Sequence, residues 1–346
     1  MYLSVIIPVY NAQRTLRDCL QALSRQTHRH YEVLLVDNNS TDESVNIIET
    51  FLRAHPEFEA RLLREPIQGA CRARNTGAKV ATGDILVNTD PDCIPDRRWL
   101  ADLVEDFHAF DTAMVAGNIK PPPPNNTYEL FSSLFTLPGR SSTAVHDRYT
   151  LTHGGYATAN LSIRRRWFFR VGGFDETINY HGVGIGEDHD LIARVYRMGG
   201  KLVAVPNATV EHRHRSHGTG IARQGFLFGL AHAVLTRRYG PSGLLCTLGG
   251  KRLVIRRLPR GWIDVNGFDK KLLFFCLLTL MNPKLVVVLG IYLVWQVWKV
   301  RKRAMGHGFS ASGWTSIHLL MLLLVKSSSM SLGRLRGGAR EKIICL

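Results

Sequence analysis

Residues 84–92 read DILVNTDPD, a short apolar run that ends on two carboxylates one residue apart. Similar runs stand upstream of it: SVIIPV at 4–9, YEVLLVD at 31–37 and ARLLRE at 60–65. Between them, residues 12–25, 43–54 and 70–80 carry helical spacing, and Ser40-Thr41-Asp42-Glu43 offers capping chemistry where the second helix begins. Strands alternating with helices predict a parallel sheet with crossover helices. In open sheets of this kind ligands bind beyond the carboxyl ends of the strands. The residues at those ends are polar: Tyr10-Asn11, Asp37-Asn38-Asn39 and Asp90-Pro91-Asp92. The pattern is that of a nucleotide-binding α/β domain.

With 346 residues, 45% of them hydrophobic, the chain has ample material for one large domain and an appendage, which excludes global disorder. Its net charge of +16 is unevenly placed. Residues 1–210 hold 22 Lys+Arg against 24 Asp+Glu, whereas residues 211–346 hold 22 against 4, a surplus of +18. Such a one-ended surplus suits nucleic acid, anionic lipid or an anionic substrate. The neighbouring sequence favours lipid, because the basic runs flank the apolar stretches at 272–298 and 317–325. Asn282-Pro283-Lys284 divides the first stretch below the roughly 20 residues a single span needs. We therefore expect a kinked, re-entrant or interfacial helix pair, drawn to an anionic membrane surface by Lys299, Arg301, Lys302 and Arg303. A buried helical C-terminal domain is the alternative.

The six cysteines show no CxxC pairing and no zinc-like spacing, which reads as ordinary reduced thiols. Leu3–Val9 already reads as a strand with no charged n-region before it, so the expectation is a cytoplasmic active domain without a signal peptide. A proline-rich break, KPPPPNN at 120–126, closes the first half, and the stretch to about residue 150 reads as a mobile loop. The expected division is a catalytic domain at 1–215 and a basic, apolar, helical region at 216–346.

Several constellations carry chemistry. Asp90-x-Asp92 offers a hard divalent cation two carboxylates, and such a cation stabilises a departing diphosphate without proton transfer; a solvated Asp-rich turn is the competing reading. Asp37 suits a base or ribose, or an Asx turn. The segment from Gly182 to Asp190 places Glu187, Asp188 and Asp190 in the first turn of a helix that Gly199-Gly200 would end. Capping can use acids there, but three exceed that need, and one could act as general base. Gly154-Gly155 before Tyr156 would let backbone approach a ligand, or simply turn. In the run at 212–217, His212 directly follows an apolar segment and could offer its imidazole to a metal or its charge to phosphate; an exposed basic loop is the alternative.

Taken together, VIIPVYN at 5–11, VDNNSTD at 36–42, GACRARNTGAKVATGDILVNTDPDC at 69–93, ANLSIRRRWFFRVGGFDE at 159–176 and GEDHDL at 186–191 resemble the family 2 glycosyltransferases of GT-A fold. The resemblance runs in family order over roughly residues 3–215. It implies that Pro8, Tyr10 and Asp37 hold the nucleoside and that Arg74 and Asn75 line the donor pocket. Asp90 and Asp92 would form the DxD motif on Mn²⁺ or Mg²⁺, with His212 completing the metal shell. Asp188 would be the catalytic base, Glu187 would orient the acceptor, and Gly154-Gly155 would be the family's glycine loop. The QxxRW motif of processive synthases is absent, and Arg223-Gln224-Gly225-Phe226 does not replace it, which argues against long-chain polymerisation.

The expected activity is inverting transfer of a sugar from a nucleotide sugar, UDP-linked by preference, to an acceptor glycan or lipid-linked saccharide at the cytoplasmic face of the membrane. One direct displacement needs a base and no enzyme nucleophile. The rivals are a sugar nucleotidyltransferase, a catalytically silent nucleotide-sugar-binding scaffold and, for the basic C-terminal region, a nucleic-acid binder.

Overall fold

The structure is a computed structural model that describes residues 1–136, 139–149, 156–181, 183–213, 217–249, 251–310 and 312–346. It divides into two compact units, Met1–Pro122 with Leu137–Arg213, and Pro123–Thr136 with His214–Leu346.

The first unit opens with β1 (Leu3–Val9), α1 (Leu16–Ser24), β2 (Tyr31–Asp37), α2 (Ser44–Ala54), β3 (Ala60–Arg64), α3 (Ala70–Val80) and β4 (Ile85–Asn88). It continues with β5 (Cys93–Pro95), α4 (Trp99–Ala109) and β6 (Met114–Lys120). After α5 (Thr127–Phe135), which belongs to the second unit, come β7 (Ala144–His146), β8 (Leu161–Arg164), α6 (Arg165–Arg170), β9 (Asn179–Tyr180), β10 (Val183–Gly184), α7 (Glu187–Arg197) and β11 (Leu202–His212). The main sheet runs β3-β2-β1-β4-β8-β6-β11-β5, with β7 paired to β11. The β3-β2-β1-β4 half is parallel, and β8 lies antiparallel to both β4 and β6.

Alternation along the central strands explains why they read as continuous apolar runs. Val5, Ile7, Val33, Leu35, Ile85 and Val87 face a core with Leu16, Leu20, Ile48, Trp99 and Leu103. Their neighbours Ile6, Leu34 and Leu86 face the opposite core, with Ala78, Phe168, Leu191 and Val195. Both faces are covered, so polar residues are confined to the strand ends, where the site forms. Close approach also matters: a Cβ on Gly117 would meet the Asn160 amide nitrogen at 2.3 Å and the Ala208 carbonyl at 2.4 Å.

The second unit contains α5, α8 (Gly218–Tyr239), β12 (Leu244–Leu248), β13 (Lys251–Ile255), β14 (Gly261–Asp264), α9 (Phe268–Met281), α10 (Val286–Gly306), α11 (Gly313–Glu341) and β15 (Ile344–Cys345). Leu130, Phe131, Ile221, Val300, Leu319 and Leu320 form its core. Helices α8 and α11 touch backbone to backbone, since a Cβ on Gly229 would sit 2.1 Å from the Met330 carbonyl. The Lys326 ammonium donates to the Phe135 carbonyl at 2.8 Å and to Thr136 Oγ1 at 2.9 Å, closing the end of α5.

Three features differ from the sequence reading. The stretch read as a mobile loop contains α5, which Asn126 caps by accepting from the Glu129 amide at 2.9 Å while Glu129 Oε2 accepts from the Asn125 amide. The C-terminal region is not helical alone; it carries a four-stranded sheet in the order β13-β12-β14-β15. The 317–325 run is part of a helix of 29 residues. The division at Asn282-Pro283-Lys284 is observed, with the Asn282 side chain accepting from the Lys284 amide. Pro283–Gly306 and Gly313–Glu341 are both long and apolar enough to cross a membrane. The outer face of the first leaves Val287 (64%), Ile291 (66%) and Val294 (72%) exposed, which does not fit a buried helical domain.

Candidate active site

Parallel register brings the first two strand ends together, with Val9 opposite Asp37. The chain then laces two loops across that edge. The Asn11 amide donates to Ser40 Oγ at 3.1 Å, Asn11 Oδ1 accepts from the Thr41 amide at 2.8 Å, and Asp42 accepts from the Gln13 and Ser44 amides at 3.0 Å each. Asp42, one residue ahead of Glu43 at the helix N-cap, is thus the member of the 40–43 group that meets the start of α2. Tyr10 projects from this edge, 53% exposed, as an aromatic face beside the sheet. Asp37 is nearly buried and accepts from the Ser40 amide at 3.1 Å. This bond reaches the amide three residues on, one beyond an Asx turn, and it fixes the carboxylate at the rim rather than removing it.

The decisive contact lies further along. Arg74, on α3 and 3% exposed, donates from Nη2 to Asp90 Oδ1 at 2.7 Å, and its Nη1 lies 3.5 Å from Glu187 Oε1. One guanidinium thereby gathers the DxD segment and the acidic helix start, which are about a hundred residues apart in sequence. Gly184 makes room for this, since a Cβ there would fall 2.5 Å from the Glu187 carboxyl.

The three acids of α7 separate into different jobs. Asp190 is fully buried and pairs with Arg194 at 2.7 Å, one helical turn on. Glu187 faces Arg74. Asp188 is half-buried and, among the described residues, accepts only from the adjacent His189 amide, at 2.8 Å.

Burial, and secondarily the charge of Asp188, pushes the Glu187 carboxyl up to about 7, although Arg74 opposes the shift. The native protein thus holds this proton more tightly than the unfolded chain does. Its stability contribution is full below the ordinary carboxylate range and is lost as the pH rises through about 7. In metal-free protein, Glu187→Gln should flatten the fall in urea midpoint between pH 5 and pH 8; an unchanged slope would show that this carboxyl is not its source.

Antiparallel pairing of β11 with β5 sets His212 opposite Cys93. His212 Nε2 lies 3.7 Å from Asp92 Oδ1, and ligand atoms of Asp92, Cys93 and His212 all fall within 4.8 Å of one another. The carboxylate and the imidazole suit a divalent cation, whereas the Cys93 thiol is fully buried, points to the Ala159 carbonyl and is pushed up by burial, which keeps it protonated. Asp90, expected to share the metal, instead pairs with Arg74; the turn closed by the Cys93 amide on the Asp90 carbonyl sends the two carboxylates different ways.

Asn75, expected to line the donor pocket, has its amide spent elsewhere. It donates to the Phe174 carbonyl and to Glu176 Oε1, both at 2.9 Å, and accepts from the Phe174 amide at 3.0 Å. It positions the 173–176 loop, and lines a cavity of about 620 Å³ with Lys79, Phe168, Glu176 and Arg194 that includes none of the acids at 90, 92 and 188. Pro8 lies in β1 opposite Val36. Gly154 and Gly155 fall outside the described residues.

A mixed sheet with acids gathered at its strand ends is the architecture of the GT-A nucleotide-sugar transferases, and the chain has that fold. It superposes on the mannosyltransferase PcManGT from Pyrobaculum calidifontis, solved in complex with GDP-Man and Mn²⁺, with a TM-score of 0.53 and 22% identity, covering 69% of this chain and 65% of that one. Residues 4–172 match the model of glycosyl transferase family 2, and residues 139–218 match that of the N-terminal domain of galactosyltransferase. The first half of the chain thus carries the sequence signature of glycosyltransferase family 2. It is 39% identical over 126 residues to glycosyltransferase AglE of Haloferax volcanii, covering 36% of this chain and 41% of the relative. It is 32% identical over 253 residues to the pre-mycofactocin glycosyltransferase of Mycobacterium tuberculosis, covering 71% of this chain and 50% of the relative. The chain thus spans half or less of the length of these curated relatives.

Proposed function

We propose that the chain transfers a sugar from a nucleotide sugar, UDP-linked by preference, to an acceptor hydroxyl with inversion at the anomeric carbon. The observation that supports this reading is the Asp90–Arg74–Glu187 bridge, in which one guanidinium lies against a donor-side acid and an acid of α7. Tyr10 offers an aromatic face to the base, and Asp37 a carboxylate to ribose or base. Asp188 takes the proton from the attacking hydroxyl, and Glu187 beside it orients the acceptor. Asp92 and His212 would hold a divalent cation, Mn²⁺ or Mg²⁺, which when bound stabilises the charge that develops on the departing diphosphate. The acceptor is a glycan or lipid-linked saccharide, and the exposed apolar helices with their basic flanks keep the protein at the cytoplasmic face of an anionic membrane.

A panel of nucleotide sugars, each with Mn²⁺, Mg²⁺ or EDTA, tests this directly. Nucleoside diphosphate should appear with at least one donor and cation and be lost with EDTA, and Asp92→Asn should raise the cation concentration needed at least ten-fold. Pyrophosphate release from a sugar phosphate and a nucleoside triphosphate would establish a nucleotidyltransferase instead. Donor binding without release from any donor would leave a silent scaffold.

A further inference from the structure

Strand β13 is exposed along its whole length, and the exposure continues to Pro259. The segment reads KRLVIRRLPR from Lys251 to Arg260, and the region from Gly240 to Ile263 contains no acidic residue. Register with β12 sets Lys251 opposite Leu248, Leu253 opposite Cys246 and Ile255 opposite Leu244. Side chains alternate across a strand, so Leu248, Leu253, Ile255 and Lys251 share one face of the hairpin while Arg252 and Val254 lie on the other. Leu248 is 59% and Leu253 62% exposed, and Leu258 beyond them 43%.

Cations on an edge strand have a bland explanation, because they discourage pairing with another chain. That explanation leaves the apolar row unexplained. Nucleic acid would use the five cations at 251–260 but gains little from Leu248 and Leu253. A surface with apolar side chains bracketed by Lys and Arg, and with no acid, complements an anionic bilayer. Acyl chains accept the leucines, and headgroups accept the ammonium and guanidinium groups.

We propose that the β12–β13 hairpin is a membrane contact in its own right, its Leu248–Leu253–Ile255 face entering the interface of an anionic bilayer with Lys251, Arg256 and Arg257 on the headgroups. It rests on the membrane reading given above, but it concerns a sheet edge rather than the apolar helices. The hairpin adds a second point of attachment, so the unit is held in a defined orientation rather than pivoting about its helices.

An environment-sensitive fluorophore on Leu253→Cys, in the full chain with Cys246 and Cys276 changed to Ser, tests this. Its emission should shift to the blue in phosphatidylcholine vesicles containing phosphatidylglycerol and stay water-like in phosphatidylcholine alone. Changing Lys251, Arg256 and Arg257 to Gln should weaken the hairpin's insertion about a hundred-fold, at about five-fold per charge. A second probe on Leu280→Cys, at a helix position 80% exposed, reports the helices separately. A shift at 280 with a water-like signal at 253 overturns the hairpin contact and leaves the helix anchor standing. A shift at 253 alone supports the hairpin and removes the helix anchor. A blue shift at 253 without lipid, in a protein with the mass of a dimer, would assign the edge to a second copy and overturn the proposal.

Discussion

Changing Asp188 to Asn should lower the turnover of sugar transfer by about 10²- to 10⁴-fold, the span that a positioned general base contributes, with donor affinity nearly unchanged. The argument is one of elimination among three neighbouring carboxylates. Asp190 is fully buried against Arg194, out of reach of an incoming hydroxyl, and Glu187 faces the Arg74 guanidinium, whose charge opposes proton uptake there. Asp188 keeps a half-exposed carboxylate whose one hydrogen bond comes from the adjacent amide of its own helix. Asn preserves that hydrogen bond and the shape, and removes the ability to take a proton together with the charge that helps raise Glu187. Steady-state turnover with the saturating donor and cation, set beside donor titration by calorimetry, separates the two effects. If Asp188→Asn keeps full turnover while Glu187→Gln loses it, the base is Glu187 and the division of labour described for this helix is wrong.

The strands and their polar ends were legible in the sequence because β1, β2 and β4 are covered on both faces, which leaves no room for polar residues except where the strands stop. Asp37 and Asp92 stand out for the same reason, and Asp188 because three acids in one first helical turn exceed what capping needs. Arg74 was legible only as a member of a motif; its bridging role depends on α3 lying beside β1 and on the approach of α7, neither of which is a local property. His212 could be suspected from its place after an apolar segment, but its pairing with Asp92 is made by the β11–β5 register across more than a hundred residues. The partners of Asn75 were not legible, because both ends of its amide are engaged by the backbone and side chains of residues 174–176, about a hundred residues away. By contrast, the β12–β13 hairpin was there to be read. Gly249-Gly250 between two apolar strands is a two-residue turn signal, overshadowed by the longer apolar runs beyond it.

Removing the positive charge at position 74 should destabilise the first unit as much as emptying a core position does. Arg74→Met keeps much of the side-chain volume but leaves the Asp90 and Glu187 carboxylates gathered without their cation, and breaking a buried ion pair from one side costs about 3–5 kcal/mol. The stacking of the guanidinium 5.8 Å from the Phe174 ring centroid is lost as well. Loss of the favourable charge also raises the Glu187 carboxyl further, so the native state of Arg74→Met binds a proton there more tightly than the wild type. The destabilisation should accordingly be smaller at pH 5 than at pH 8. Adding Glu187→Gln to Arg74→Met should recover part of the loss at pH 8, because the two groups interact and their effects do not add. Urea unfolding of the four proteins at both pH values closes the cycle. Equal unfolding midpoints for Arg74→Met and wild type would mean that the two acidic segments are held together by something other than this guanidinium.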